Sequence, residues 1–350
     1  MSKVLVTGAT GFIGAHLAEV LRNAGEQIVC TRRSSSNVSR LSGFEIEFVT
    51  ADITQADSLA RTLQGVDVIY HLAGLVKAFR KAEFDRVNIE GTRNLVRAAA
   101  ALESPPTVVI VSSLAAAGPA NDRPLVESDP ARPVSVYGRS KLAAELAALE
   151  FANQVPISIV RPPIVFGESD RDVFEMFKPI AQHGLHVVAG SGSGRFSLIY
   201  AGDLATALQR VAVSGERVPY PECEQDTPDG QGWYFAAHQE HPTYAELGGL
   251  IGQALGGKKA RVLRMPIAIA WLAAAGSELA GRIRRKPQIL NFDKIREARA
   301  GGWSCSPDKA INQLGWSPEA TLAERLCQTA EWYYDQQWLK RPTDRGPVTG

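Results

Sequence analysis

The sequence predicts an α/β protein, a doubly wound parallel sheet followed by a smaller C-terminal lobe. Three observations carry this expectation. Short apolar runs without alternation, such as Val4-Leu5-Val6 and Val108-Val109-Ile110-Val111, read as strands buried on both faces. Helix-length segments with a single apolar face separate these runs, and a glycine-rich turn directly follows the first of them. Alternation of this kind requires parallel pairing with right-handed crossovers.

Taken in order, the chain opens with a strand through Val6, a turn, and a helix carrying Phe12, Ile13, Leu17, Val20 and Leu21 on one face. Strands follow at Gln27–Thr31 and Ile46–Thr50, then a helix over Gln55–Leu63 and a strand at Asp67–His71. A long helix runs from about Phe84 to Leu102, a strand covers Thr107–Val111, a further helix begins near Val136, and a buried strand spans Pro156–Val160. This succession is the Rossmann arrangement, and it places the sheet domain at residues 1–165. Beyond it Pro and Gly become frequent, as in Gly190-Ser191-Gly192-Ser193-Gly194 and Pro219 to Gly232. Residues 166–338 are therefore expected to form mainly a substrate-binding lobe, with segments around 196–235 returning to the sheet domain. Residues 339–350 carry charge, Pro and Gly without apolar periodicity and are expected to be a flexible tail.

At 350 residues and 45% hydrophobic, the chain can bury a substantial core. Its 38 Lys and Arg balance 37 Asp and Glu, so no bulk field favours nucleic acid, and a small molecule is the expected partner. The four cysteines, Cys30, Cys223, Cys305 and Cys327, are too far apart for a CxxC pair or a disulfide ladder, and no metal site is expected. With a strand already at residues 1–6 there is no room for a signal region, so a cytoplasmic location is expected. The mostly apolar stretch Met265 to Gly281, flanked by Arg261, Arg264, Arg282, Arg284, Arg285 and Lys286, is marginally short for a membrane span. It reads as a packed helix, with peripheral membrane contact through 265–286 as the alternative.

Thr7-Gly8-Ala9-Thr10-Gly11-Phe12-Ile13-Gly14 spaces its glycines by three and three between a strand and a helix. In that context Gly8 permits the tight turn, Gly11 a close backbone approach to phosphates, and Gly14 close helix packing, while Thr10, Phe12 and Ile13 bring helix N-terminal amides to the anion. A nicotinamide dinucleotide is the expected cofactor. NAD sites carry an acid at the end of the second strand, whereas this chain reads Cys30-Thr31-Arg32-Arg33. Guanidinium groups there suit a 2′-phosphate, so NADP is preferred over NAD, with two solvated surface arginines as the alternative. Asp52-Ile53 could contact the adenine, or Asp52 could serve a helix N-terminus. Leu72-Ala73-Gly74 ends the fourth strand with small side chains that let the backbone pass close to the cofactor.

Tyr137 and Lys141 lie four apart on one helix face. A phenol with a pKa of about 10 becomes a tunable proton carrier beside an ammonium group. Ser113 follows the fifth strand at the carboxyl edge, where such sheets bind ligands, and its hydroxyl can hydrogen-bond a substrate oxygen. His16 and His71, beside packed elements and without an evident partner, read as structural.

In this order the glycine turn, the post-strand Ser and the helical Tyr/Lys pair resemble the short-chain dehydrogenase/reductase superfamily in its extended form. Further matches are His71-Leu72-Ala73-Gly74, Asn88-Ile89-Glu90-Gly91-Thr92, Arg161-Pro162-Pro163-Ile164-Val165-Phe166-Gly167, Tyr200-Ala201-Gly202-Asp203 and Leu314-Gly315-Trp316-Ser317-Pro318. The resemblance runs through nearly the whole chain. It implies Tyr137 as general acid/base, Lys141 lowering its pKa and holding the nicotinamide ribose, and Ser113 orienting the reacting oxygen. It also implies that Pro162, Pro163 and Ile164 pack near the nicotinamide, that Asn88 supports the sheet edge, and that the protein is a homodimer. The Ala-rich stretches Ala98–Ala101 and Ala143, Ala144, Ala147 and Ala148 would form its contact, or would simply pack on the sheet.

Extended members divide between nucleotide-sugar epimerases or dehydratases and oxidoreductases of hydrophobic alcohols and ketones. Two departures lean toward the second group: Arg161-Pro162-Pro163-Ile164 lacks the Asn that contacts a sugar-nucleotide diphosphate, and Gly194 to Tyr200 lacks the acid that follows the arginine in the sugar group. The apolar stretch with Trp271 and Leu272 would suit a steroid-, terpenoid- or flavonoid-like substrate, and this part resembles 3β-hydroxysteroid dehydrogenases and dihydroflavonol reductases. The expected activity is thus interconversion of a secondary alcohol and a ketone. A sugar-nucleotide epimerase or dehydratase is the alternative, and a non-catalytic dinucleotide-binding protein the second.

Overall fold

The computed structural model describes residues 2–220, 229–267, 269, 271 and 292–341. Met1, Cys223, nearly all of the apolar stretch beyond Met265 with its following basic run, and most of the expected tail lie outside the described residues. In chain order the elements begin with β1 (Lys3–Thr7), α1 (Phe12–Asn23), β2 (Gln27–Arg32), β3 (Ile46–Thr50) and β4 (Val68–His71). A helical run of α2 (Lys81–Phe84), a π-helical stretch (Asp85–Glu90) and α3 (Gly91–Ala100) leads to β5 (Thr107–Val111), α4 (Leu114–Ala117), α5 (Val136–Leu149) and β6 (Ile157–Val160). Then come β7 (Ile164–Phe166), α6 (Phe174–His183), β8 (Leu185–Ala189), β9 (Leu198–Tyr200), α7 (Ala201–Ser214) and β10 (Trp233–Tyr234). The chain continues with α8 (Tyr244–Ala254), β11 (Arg261–Met265), α9 (Phe292–Arg299), α10 (Asp308–Leu314) and α11 (Leu322–Asp335).

Seven strands form one parallel sheet in the order β10-β6-β5-β4-β1-β2-β3. Its central strands are apolar at successive positions because both faces are covered. Val4, Val6, Ile28 and Cys30 face a layer with Leu17, Leu21, Leu204 and Leu208 from α1 and α7. Leu5, Val29, Ile69 and Ile110 face Leu95, Val96, Ala99 and Ala148 from α3 and α5. The sheet order reverses between β1 and β4, where Thr7 pairs with His71, and this is the crevice at which such folds bind ligands.

Two expected elements differ in the structure. No α-helix forms over Gln55–Leu63; a short 3₁₀ turn at Ala56–Ser58 and further turns take its place. Hydroxyls compete there for the carbonyls a helix would use: Ser58 Oγ lies 2.8 Å from Gln55 O and Thr62 Oγ1 3.1 Å from Ser58 O. Leu59 and Leu63 still reach the core, which explains the four-residue spacing that suggested a helix. The long helix expected from Phe84 begins earlier, at Lys81, and includes the π-helical stretch, which carries the buried Asn88. Just after it, a Cβ on Gly91 would meet Ile53 Cδ1 at 2.6 Å, so the glycine allows the helix to seat on Ile53.

The C-terminal half adds two parallel pairs, β7 with β9 and β8 with β11, and a cluster in which Phe177, Ile180, Leu247, Ile251, Leu326 and Tyr333 join α6, α8 and α11. Fully buried Asp203, in α7, receives both Nε and Nη2 of Arg325 from α11. Gly315 ends α10 in the left-handed region, and Trp316 then drops into the α1/α7 layer with its indole N–H donating to Thr206. The Tyr200–Asp203 and Leu314–Pro318 motifs thus hold the two halves together. No helix among the described residues is long and apolar enough to cross a membrane.

Candidate active site

The turn after β1 is shaped by what a side chain would strike. Gly8 has φ +76°, and a Cβ there would lie 2.7 Å from Ala73 N and 2.8 Å from Leu72 C. A Cβ on Gly14 would lie 2.4 Å from Gly8 O, while the Gly11 amide closes the turn on that same carbonyl at 3.0 Å. The helix that follows has no side-chain cap and no acid in its first turn, so its first amides, next to half-buried Thr10, Phe12 and Ile13, suit an anion. At the end of β4, Gly74 sits where a Cβ would be 3.9 Å from Lys141 Nζ, which brings the crevice up to the candidate catalytic lysine. These cradles fit a dinucleotide.

At the far end of the crevice, Arg32 is half-buried with its guanidinium 5.6 Å from the Phe48 ring, and its Nε is buried without a hydrogen-bond partner among the described residues. Arg33 is exposed. Asp52 forms a local turn, accepting from both N and Oγ1 of Thr54. Burial pushes its carboxyl up, but the Thr54 bonds and the charges of Arg33 and Arg86 outweigh this and hold it below the ordinary range. Ile53 points into the core, and its carbonyl accepts from Asn94.

Ser113, Tyr137 and Lys141 come together from two elements, the start of α4 and one face of α5. Ser113 caps α4, its Oγ accepting from Ala115 N at 3.1 Å. Tyr137 is in the first turn of α5, where Ser135 Oγ accepts from Gly138 N and Asp293 Oδ2 accepts from Val136 N at 2.9 Å. A Cβ on Gly138 would lie 2.3 Å from Ala115 O, so this glycine lets α5 close on α4 and bring the phenol to Ser113. Lys141 Nζ donates to Val111 O at 2.7 Å. Burial pushes the Tyr137 phenol up to about 12, opposed by a hydrogen bond with Ser113 and reinforced by the charge of Glu297. This is the opposite direction from the lowering by Lys141 that the family resemblance implies: burial dominates, and Nζ is engaged by the Val111 carbonyl. Lys141 itself is pushed down to about 8 by burial, with Glu145 pulling the other way.

Asn88 braces this group. It accepts from Leu75 N, donates to Leu75 O, and donates to Ser140 Oγ at 2.9 Å, tying the loop after β4 to α5. Sequence reasoning missed the layer beneath. Glu145, 1% exposed, accepts from Arg161 Nε, Ser112 Oγ and Trp233 Nε1. Its signal was present, since Tyr137, Lys141 and Glu145 recur every four residues on one helix face. Asp293 had no such signal, lying 156 residues from Tyr137. His16 and His71 are both held in place: His16 Nε2 contacts Glu168 O at 3.1 Å, and His71 bonds Thr7 and Thr92.

A cleft of about 1650 Å³ opens over Ser113 and Tyr137. Phe79, Phe84, Val187, Phe196, Met265 and Trp303 line it together with Pro163 and Ile164, and Pro162 is buried behind them, its carbonyl accepting from Leu114 N. Lys77 and Asp172, both on its wall, pair at 2.7 Å.

Residues 4–222 match the NAD dependent epimerase/dehydratase family. The chain is 29% identical over 345 residues to a ceramide reductase of Caulobacter vibrioides, covering 97% of this chain and 96% of that protein. It is 24% identical over 349 residues to a 3 beta-hydroxysteroid dehydrogenase/Delta 5→4-isomerase of Mycobacterium tuberculosis, covering 95% and 90%. In fold it is similar to UDP-glucose 4-epimerase of Thermotoga maritima with UDP-glucose, with a TM-score of 0.74 at 20% identity, covering 96% of this chain and 99% of that one. The reversed sheet order, the three-glycine turn and the matched span of more than half its length together place the chain in the NAD-dependent epimerase/dehydratase family of extended short-chain dehydrogenases/reductases.

Proposed function

We propose that this protein is an NAD(P)-dependent oxidoreductase interconverting a secondary alcohol and a ketone on a hydrophobic, lipid- or steroid-like substrate. The observation that carries the reading is that Ser113 and Tyr137 face a large cleft whose walls are mainly aliphatic and aromatic. The relatives named for ceramide and hydroxysteroid substrates support it. The nicotinamide, when bound, supplies or accepts the hydride. Tyr137, protonated at neutral pH with its phenol pushed up to about 12, holds the proton that a ketone oxygen takes on reduction. Ser113 Oγ orients that oxygen by a hydrogen bond, and Lys141 places a positive charge under the same face. A sugar-diphosphate substrate finds no amide at Pro162 or Pro163.

NADP is the cofactor that the end of β2 suits best: no acid stands there, Arg33 is open to solvent, and the buried Nε of Arg32 has no hydrogen-bond partner among the described residues. Both assignments are tested by mixing purified protein and NADPH with a panel of hydrophobic ketones and following NADPH absorbance. Ketone-dependent loss is expected, abolished in Tyr137→Phe, and Arg33→Ala should raise the KM for NADPH far more than for NADH. Absence of turnover with every ketone, alongside conversion of a UDP-sugar without net cofactor change, would sink the oxidoreductase reading. Equal weakening of both cofactors by Arg33→Ala would sink the NADP preference.

A further inference from the structure

In the β8–β11 ribbon, β8 presents two unlike faces. His186 and Val188 are buried toward α8, where a Cβ on Gly248 would lie 2.4 Å from the His186 ring. In the parallel register Arg261 pairs with Leu185 and Leu263 with Val187, so these side chains share the opposite face. That face is open: Leu185 is 36%, Val187 43% and Leu263 53% exposed. Among the described residues β11 is also an edge strand, pairing with β8 alone. An edge of this kind with bare apolar side chains is normally covered or blunted.

The segment leading into and along β11 carries charges of one sign. Lys258, Lys259, Arg261 and Arg264 fall on or just before β11, and no Asp or Glu occurs from Leu247 to Met265. The face is also continuous with the active site, because Val187 and Met265 line the catalytic cleft. Exposed apolar side chains on a strand that carries and follows a run of cations are the pattern of a surface that enters the interface of an anionic bilayer. We propose that the Leu185, Val187, Leu263 and Arg261 face docks on an anionic lipid surface, from which an acyl-chain substrate passes into the cleft. The inference names the source of the substrate for the proposed alcohol/ketone chemistry and rests on that reading for its meaning, while the docking is measured without turnover.

The test uses the full chain and vesicles of phosphatidylcholine, alone or with about one third phosphatidylglycerol, read by co-sedimentation. The wild-type protein should pellet with the anionic vesicles, less so as salt is raised, and remain in solution with the neutral ones. Leu263→Asp and Arg261→Glu should each weaken pelleting roughly tenfold, and Arg261→Lys should retain it. Neither Leu263 nor Arg261 lines the cleft, so both variants should reduce a water-soluble ketone at the wild-type rate, which also reports that they fold. Wild-type protein that stays in solution with anionic vesicles overturns the proposal, as do variants that pellet undiminished. A Leu263→Asp change that alters the mass in light scattering while pelleting is unaffected also overturns it, assigning the face to a second copy. Pelleting as expected with no ketone turnover by any form leaves the docking standing and removes the proposed reaction instead.

Discussion

His71 shows how a histidine beside a binding crevice can be structural. Thr92 Oγ1 donates to Asn88 O, so it can only accept the Nε2 proton of His71, and Nδ1 is left to accept from the Thr7 hydroxyl at 2.7 Å. Thr7 Oγ1 in turn accepts from Ala73 N, so a single neutral imidazole ties β1, the loop after β4 and α3. Burial, with Lys141 nearby, pushes this histidine down to about 3. The unfolded chain takes up that proton near pH 6.5 and the folded one only near 3, so stability is present above about 6.5 and lost as pH falls toward 3. The expected slope from this group is about 1.4 kcal/mol per pH unit in that window. Urea unfolding of wild type and His71→Asn across mildly acid pH checks it; parallel pH dependences in the two proteins would show that His71 contributes nothing. At this scale the sequence pointed to Ser113, Tyr137 and Lys141 through their order in the chain, and the structure brings Ser113 to the end of β5 beside Tyr137 on α5. Glu145 was passed over because its partners, Arg161, Ser112 and Trp233, come from three other strands or strand ends.

Among the elements, the contact between α4 and α5 sets the distance between the Ser113 and Tyr137 hydroxyls. Gly138 is the point of closest approach, and an alanine methyl there would overlap Ala115 O, a backbone atom that cannot swing away. Gly138→Ala should therefore cost about 1–3 kcal/mol of stability as the helices part. Turnover should fall more than stability predicts, on the order of 10²-fold, because Ser113 and Tyr137 move apart. Denaturant melts and steady-state kinetics on the same preparation check this; an Ala variant with wild-type kcat would remove the spacing argument. Element types in the sheet were readable since apolar strand runs and one-faced helices are strong signals, as in β1, β5 and α5. The turns at 55–63 were misread because leucine spacing carries no record of which carbonyls the neighbouring hydroxyls take. The three-residue strands β7 and β9 are too short to show a period, and only their pairing, Ile164 with Leu198, defines them.

For the molecule as a whole, the doubly wound order was legible and the way the second half locks onto it was not. The Arg325–Asp203 pair and the seating of Trp316 join residues more than a hundred positions apart. The expected alanine contact between subunits is answered in part within one chain: Ala99, Ala144, Ala147 and Ala148 are buried in its own packing. The outer face of the two helices keeps Leu146, 54% exposed, beside the Arg93–Glu150 pair. A homodimer through that face should show twice the chain mass in light scattering and fall to a monomer in Leu146→Glu; a monomeric wild type at working concentration would exclude it. The carboxylate that caps α5 belongs to this same scale. Asp293 follows Tyr137 by 156 residues, so a ribosome releases Tyr137 long before the group that finishes its helix. A chain ending before Asp293 would hold the glycine turn and the strands on either side of it but lack the carboxylate that accepts from the Val136 amide, so the start of α5 is completed only by a residue from the far end of the chain.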